Sequence, residues 1–324
     1  MTSPLISPAR LFADSSLLQP SDVDSDLREA NVLPSGDTYG GGHETAYPAP
    51  IRKERATPMQ TQTGFAELNG TRLYYEVAGS GHPLVLIHGM SLDTRMWDDQ
   101  FEPFAQHYQV VRYDARGFGK STLPTGGSYA HTDDLKALLE YLDIAHAFIL
   151  GLSMGGSIAI DFAMAYPEAT DALMPVDSRL SGWRPDPEYA AFQQAVRLRA
   201  REAGIQAARD VWLHSPVFNP ALGNPEVAPR LVRIIADYSG WHWVNDNPLR
   251  TLDPPAVQRL DTNRVPTRII IGERDFPDCQ ANAETLHQRI PTARKVVIPC
   301  VGHMSNMEAP DRFNALILDF LAEQ

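Results

Sequence analysis

The stretch of this chain richest in chemistry is Gly151-Leu152-Ser153-Met154-Gly155, which follows the apolar run Phe148 to Leu150 and leads into the helical pattern Gly156 to Tyr166. In that setting a G-x-S-x-G reads as a serine on a sharp strand-to-helix turn, its hydroxyl raised above a sheet, with small residues two positions to either side to relieve crowding. Such a serine attacks carbonyl carbon once a base takes its proton. Out of context, the same five residues would only make a tight turn. The helix that follows aims its N-terminal amides at the place where an oxyanion would form, and Met154 carries one of them. A second donor is expected from His88-Gly89-Met90, the loop after the apolar run Pro83 to Ile87, where Gly89 lets the Met90 amide turn toward the serine.

The base for Ser153 must accept a proton and return it near neutral pH, which suits an imidazole with an unperturbed pKa near 6.5. Gly302-His303-Met304 follows the strand pattern Lys295 to Ile298 and makes His303 that base. A carboxylate is then needed to fix the imidazole tautomer. Asp275, just after the run Arg268 to Ile271, is the expected partner; Asp278 and Asp177, the latter at the end of a sixth strand, are its rivals. His88 lies near the nucleophile but comes too early, because in folds that carry their serine on such an elbow the base follows the acid in chain order. It is read as a loop organiser. His214, His242 and His287 are read as surface or packing residues. The loop Asp114-Ala115-Arg116-Gly117-Phe118-Gly119-Lys120-Ser121 lacks the spacing of a P-loop or a dinucleotide fingerprint, and is read as a turn braced by Asp114 and Arg116.

Elements must hold these residues in place. Phe65 to Leu68, Asn69-Gly70 and the alternating Arg72 to Val77 predict a β-hairpin. Pro83 to Ile87, Val110 to Tyr113, Phe148 to Leu150 and Arg268 to Ile271 are short apolar runs suited to strands buried on both faces of a parallel sheet. Helical pattern separates them, as in His131 to Leu142, with Leu135, Leu138, Leu139 and Leu142 at helical spacing. The alternation predicts an α/β, doubly wound sheet whose ligands bind beyond the carboxyl ends of the strands. A helix from about 309 to 321 closes it. Between Asp177 and Thr262 the strand pattern stops. Residues 63–177 and 263–324 are therefore expected to form the core and 178–262 an inserted helical cap. That cap holds four of the five tryptophans, Trp183, Trp212, Trp241 and Trp243, which are candidates for lining an apolar pocket or for packing the cap together. Residues 1–62 hold seven prolines and little apolar periodicity. They are expected to be a mostly disordered extension, with an arm wrapping the domain or a neighbouring subunit as the alternative.

Composition narrows the partners. The 324 residues carry a formal charge of -12 with no basic cluster, which argues against nucleic acid. No run approaches eighteen apolar residues, so no membrane span is expected, and the chain reads as cytoplasmic. Cys279 and Cys300, the only cysteines, are expected to be free thiols, although the fold could bring them near each other.

Together the His-Gly loop at 88 and 89, the loop from Asp114 to Ser121, Gly-Leu-Ser-Met-Gly-Gly from 151, Gly-Glu-Arg-Asp from 272 and Gly-His-Met from 302 resemble the α/β-hydrolase superfamily. The resemblance runs from about 64 to 321, and within the superfamily it points to the branch of 3-oxoadipate enol-lactonases, small carboxylesterases and carbon–carbon bond hydrolases. It implies an eight-stranded, mostly parallel sheet with helices on both faces, and no metal or organic cofactor. A serine at 153 speaks against dehalogenase and epoxide-hydrolase branches, which need a carboxylate there. The expected activity is hydrolysis of a small-molecule ester or lactone. A carbon–carbon bond hydrolase, a cofactor-free perhydrolase and a hydrolase-fold small-molecule receptor are the alternatives; a homo-oligomer is left open. Two departures stand out: residues 1–62 have no counterpart, and Cys300-Val301 replaces a small or amide residue followed by Ala. A cysteine at 300 would make activity sensitive to thiol reagents if it lay beside the base.

Overall fold

The computed structural model describes residues 60–324; the expectation of a disordered extension falls on residues that lie, apart from the last three, outside that range. The chain forms one eight-stranded sheet in the order β1-β2-β4-β3-β5-β6-β7-β8. Thr61–Leu68 (β1) and Thr71–Ala78 (β2) are the expected hairpin around Asn69-Gly70, both with positive φ. β1 starts at Thr61, so two residues assigned to the extension belong to the sheet. Pro83–Ile87 (β3), Gln109–Tyr113 (β4), Ala147–Leu152 (β5), Thr170–Val176 (β6), Thr267–Gly272 (β7) and Ala293–Ile298 (β8) run parallel to one another, while β2 joins β4 antiparallel. β3 and β5 are nearly or wholly buried along their length, as continuous apolar runs require.

Helices pack on both faces. Asp98–Ala105 (α1), His131–Tyr141 (α2) and Met154–Ala165 (α3) follow β3, β4 and β5. Between β6 and β7 come Pro187–Leu213 (α4), Asn219–Leu222 (α5), Ala228–Asp237 (α6) and Trp241–Val244 (α7), and no strand. α4 is interrupted at Gly204 (φ 87°, ψ 170°), a conformation that glycine adopts without a Cβ clash. Pro277–Arg289 (α8), Ser305–Glu308 (α9) and Pro310–Leu321 (α10) complete the chain. α1 packs on α10, and α2 on α3, which also covers β5 and β6. The carboxyl ends of β3, β5, β6, β7 and β8 thus open toward one side, where their loops carry Gly89, Ser153, Asp177, Asp275 and His303.

Candidate active site

Ser153 stands between the end of β5 and the start of α3 with φ 58° and ψ -110°. A non-glycine residue held there costs on the order of 1–3 kcal/mol, so its surroundings must enforce it. They do so through the backbone: the Ser153 amide donates to the Val176 carbonyl, and its carbonyl accepts from the Ser157 and Arg179 amides. The two flanking glycines are needed for contact rather than flexibility. A Cβ on Gly151 would lie 2.1 Å from the Gly155 carbonyl oxygen, and one on Gly155 2.1 Å from that of Ile87.

His303 is buried in the loop after β8, and its Nδ1 lies 2.8 Å from Asp275 Oδ1. Asp275 follows β7, and the same oxygen accepts the Phe276 amide. Burial opposes a charge on His303, but the Asp275 carboxylate and its hydrogen bond outweigh it and raise the imidazole pKa above 6.5. The other two carboxylates are engaged elsewhere. Asp177 accepts from the Gly272 amide and the Ser305 hydroxyl, tying the ends of β6 and β7 to α9. Burial, and then the neighbouring charge of Asp275, push its carboxyl well above the usual carboxylate range. Asp278 accepts the Asp186 amide and faces Arg179 at 3.7 Å. Glu308, which the sequence reading passed over, accepts the Gly302 and Met304 amides and so clamps the histidine loop from both sides.

Ser153, His303, Arg179, Tyr189 and Gln193 line a cavity of about 240 Å³, with Met90 and Met154 in its wall. The Met90 amide bonds no carbonyl among the described residues, and Met154 opens α3, where an amide has no intrahelical partner. His88 is not part of this cavity's lining. Its Nε2 accepts the Ala115 amide, so its Nδ1 carries the proton and donates to the Gly89 carbonyl, binding the loops after β3 and β4 together. The loop after β4 is braced as its composition suggests: Asp114 accepts the Thr94 and Lys120 amides, and Arg116 pairs with Asp134.

A second cavity of about 300 Å³ shares Met90, Met154, Ser157, Gln193 and Trp212 with the first. Beyond that common wall it is lined by Trp243 and by polar residues including His131, Asp161, Arg197 and His242. Of the four cap tryptophans, Trp212 borders both cavities and Trp243 the second. Trp183 and Trp241 border neither: Trp183 packs against the core, and Trp241 sets its ring edge-on to His242. Composition could not separate these roles, because they follow from tertiary packing: Trp212 lies near the end of the long α4, Trp241 and Trp243 share the short α7, and Trp183 precedes α4. His214 and His287 are exposed, as read; His242 is buried with its Nδ1 2.8 Å from the Tyr238 hydroxyl, and it lines the second cavity.

The cysteines are both free and occupy different environments. Cys300 is exposed, whereas Cys279, buried on the first turn of α8, puts its Sγ 3.8 Å from His303 Nδ1. The thiol beside the imidazole is therefore Cys279, not Cys300. Burial and the Asp275 charge hold that thiol well above its usual pKa, which keeps it protonated and poorly nucleophilic. Donor atoms of Asp275, Cys279 and His303 lie within 4.8 Å of one another, but a cation among them would have to break the His303–Asp275 bond.

A serine on a strained strand-to-helix turn, over an eight-stranded sheet of this order and with a histidine and carboxylate in the last two loops, defines an α/β-hydrolase architecture. The sequence pattern described as "Alpha/beta hydrolase family" matches residues 84–316, and the chain belongs to that family. It is 31% identical over 254 residues to a protein of Escherichia coli O26:H11 named "Putative carbamate hydrolase RutD", covering 74% of this chain and 91% of that one. Among solved structures it is similar to the enol-lactonase of Burkholderia xenovorans LB400 (26% identity, TM-score 0.69, 80% of this chain and 100% of that one). It is similar also to a malate-bound thermophilic esterase of Thermogutta terrifontis (27% identity, TM-score 0.67, 81% and 98%).

Proposed function

We propose that the protein is a serine hydrolase that cleaves a small ester or lactone through an acyl-serine intermediate. The observation that carries this reading is the bond between His303 Nδ1 and Asp275 at the wall of the cavity into which Ser153 opens. With Nδ1–H donating to the carboxylate, Nε2 keeps its lone pair for the serine proton. Ser153 attacks the carbonyl carbon; the amides of Met90 and Met154 receive the negative charge on the carbonyl oxygen; His303 gives its proton to the departing alcohol. Water, deprotonated by His303, then adds to the acyl-serine, and the acid leaves as the Ser153 hydroxyl re-forms. The two adjoining cavities offer room for the two halves of an ester on either side of Met90 and Met154. A carbamate, a lactone and an ester, the groups named for the relatives, are all cleaved at a carbonyl carbon, which is consistent with one shared chemistry.

The test is release of p-nitrophenol from acetate and butyrate esters by the wild type, Ser153→Ala and Asp275→Asn. Turnover by the wild type, with losses of roughly three orders of magnitude or more in both variants, is expected. A wild type that neither turns over nor becomes labelled at Ser153 by a fluorophosphonate would refute the assignment.

A further inference from the structure

At the opposite edge of the sheet, three side chains with metal-binding donors meet outside the site described above. His82 immediately precedes β3, His146 immediately precedes β5, and Asp171 is the second residue of β6. These three strands are consecutive neighbours in the sheet, paired in register from Leu84 with Phe148 and from Ala147 with Thr170. Residues far apart in sequence are thus brought to one spot by hydrogen-bonded strands, a rigid platform for a coordination site. The His82 and His146 rings lie 5.5 Å apart, and His82 is held from behind by the Phe148 ring at 4.1 Å.

Both histidines turn a nitrogen toward the same oxygen. His82 Nε2 is 2.9 Å from Asp171 Oδ2, and His146 Nδ1 meets that oxygen from another side. His82 Nε2 is nevertheless buried without a hydrogen-bond partner, because its contact with Asp171 has the distance of a hydrogen bond but not the direction. Without an ion each of these contacts needs a proton on the nitrogen that faces the carboxylate, and a metal ion among the three donors would take the place of those protons. We propose that His82, His146 and Asp171 bind one divalent transition-metal ion of the zinc type, water completing its coordination. Two imidazoles and a carboxylate suit such ions, whereas calcium and magnesium favour all-oxygen sets.

Geometry allows it at small cost. Ligands about 2.0–2.1 Å from a tetrahedral ion stand roughly 3.3 Å apart, and the three donor atoms already lie within 4.8 Å of one another, so shifts of at most about 1.5 Å reach that spacing. His146 and Asp171 are solvent-accessible and free to make that adjustment. The ion would tie the starts of three strands together, and β5, whose six residues span about 20 Å, separates it from Ser153. The expected role is therefore stabilisation of the fold, with no part in hydrolysis.

The full-length protein, stripped with a chelator and dialysed, would be titrated calorimetrically with zinc chloride and its Tm followed in parallel. The wild type should bind one ion with a Tm rise of at least about 3 °C at about a hundredfold excess over Kd. His146→Ala and Asp171→Asn should each weaken that binding tenfold or more, with metal-free Tm and far-ultraviolet dichroism showing that both variants fold. Cys279→Ser should leave it unchanged. The proposal is overturned if submillimolar zinc shows no saturable binding. It is equally overturned if binding survives in both His146→Ala and Asp171→Asn but is lost in Cys279→Ser, which would place the ion beside His303. None of these readouts depends on turnover, so they stand apart from the outcome of the esterase test.

Discussion

At the scale of single residues, the charge beside His303 decides when the base of the proposed mechanism is usable. Only the neutral imidazole accepts the Ser153 proton, and Asp275 raises the pKa of His303 above 6.5 against the opposing effect of burial. Activity should therefore rise with pH through a value above 6.5. The same raised pKa contributes stability that is present below 6.5 and lost as pH climbs through the folded value. Asp275→Asn removes the charge, so kcat/KM should fall overall while its acid limb moves to lower pH. A pH profile of p-nitrophenyl butyrate hydrolysis reads both effects; an acid limb in the wild type at or below 6.5 would contradict the electrostatic account. Ser153, Asp275 and His303 could be picked out as candidates from the sequence because each follows a recognisable strand pattern, and of the three candidate carboxylates it is Asp275 that bonds His303 Nδ1. Cys279 could not be, since its position beside the imidazole depends on how the first turn of α8 folds back after Asp275.

At the scale of elements, the segment between β6 and β7 is fastened to the core at a polar point within an apolar contact. Trp212, near the end of α4, donates its Nε1–H to Ser91 Oγ at 2.7 Å, joining positions 121 residues apart, and its ring forms part of both cavities. Trp212→Phe keeps an aromatic ring but leaves the Ser91 hydroxyl without that donor and thins the shared wall. It should cost about 1 kcal/mol of stability in urea titrations and raise KM for the butyrate ester more than it lowers kcat, because the reacting groups are untouched. An unchanged KM would mean that the wall does not contact substrate. The sheet was readable from sequence, since Pro83 to Ile87 and Arg268 to Ile271 are apolar runs buried on both faces and bounded by turns. The inserted segment was readable only as helical. Its break at Gly204, the inward face of Trp243 and the outward position of Trp241 arise from contacts between distant residues that no local periodicity encodes.

At the scale of the whole molecule, two buried imidazoles line the cavity between the core and the inserted segment and give the fold a pH dependence of opposite sign to that of His303. Burial lowers the pKa of His131 to about 3 and that of His242 to about 4, and His242 further disfavours protonation of His131. Unfolding frees both to bind protons near 6.5. The stability they protect is thus complete above 6.5 and lost as pH falls toward their folded values. At pH 5 the loss is on the order of 2 kcal/mol for each. Buried carboxyls act the other way: Asp161, pushed up to about 6 by burial, binds its proton more readily folded than unfolded and so adds stability on acidification. The contribution of His242 is therefore isolated by difference. Urea midpoints for the wild type and for His242→Gln, measured at pH 7.5 and pH 5, cancel the carboxyls common to both proteins. The glutamine variant, with no proton to gain, should lose less stability between the two conditions than the wild type, by roughly the 2 kcal/mol attributed to His242. Equal losses in the two proteins would show that His242 takes up a proton in the folded state, and that the cavity it lines is wet enough to hold a charge.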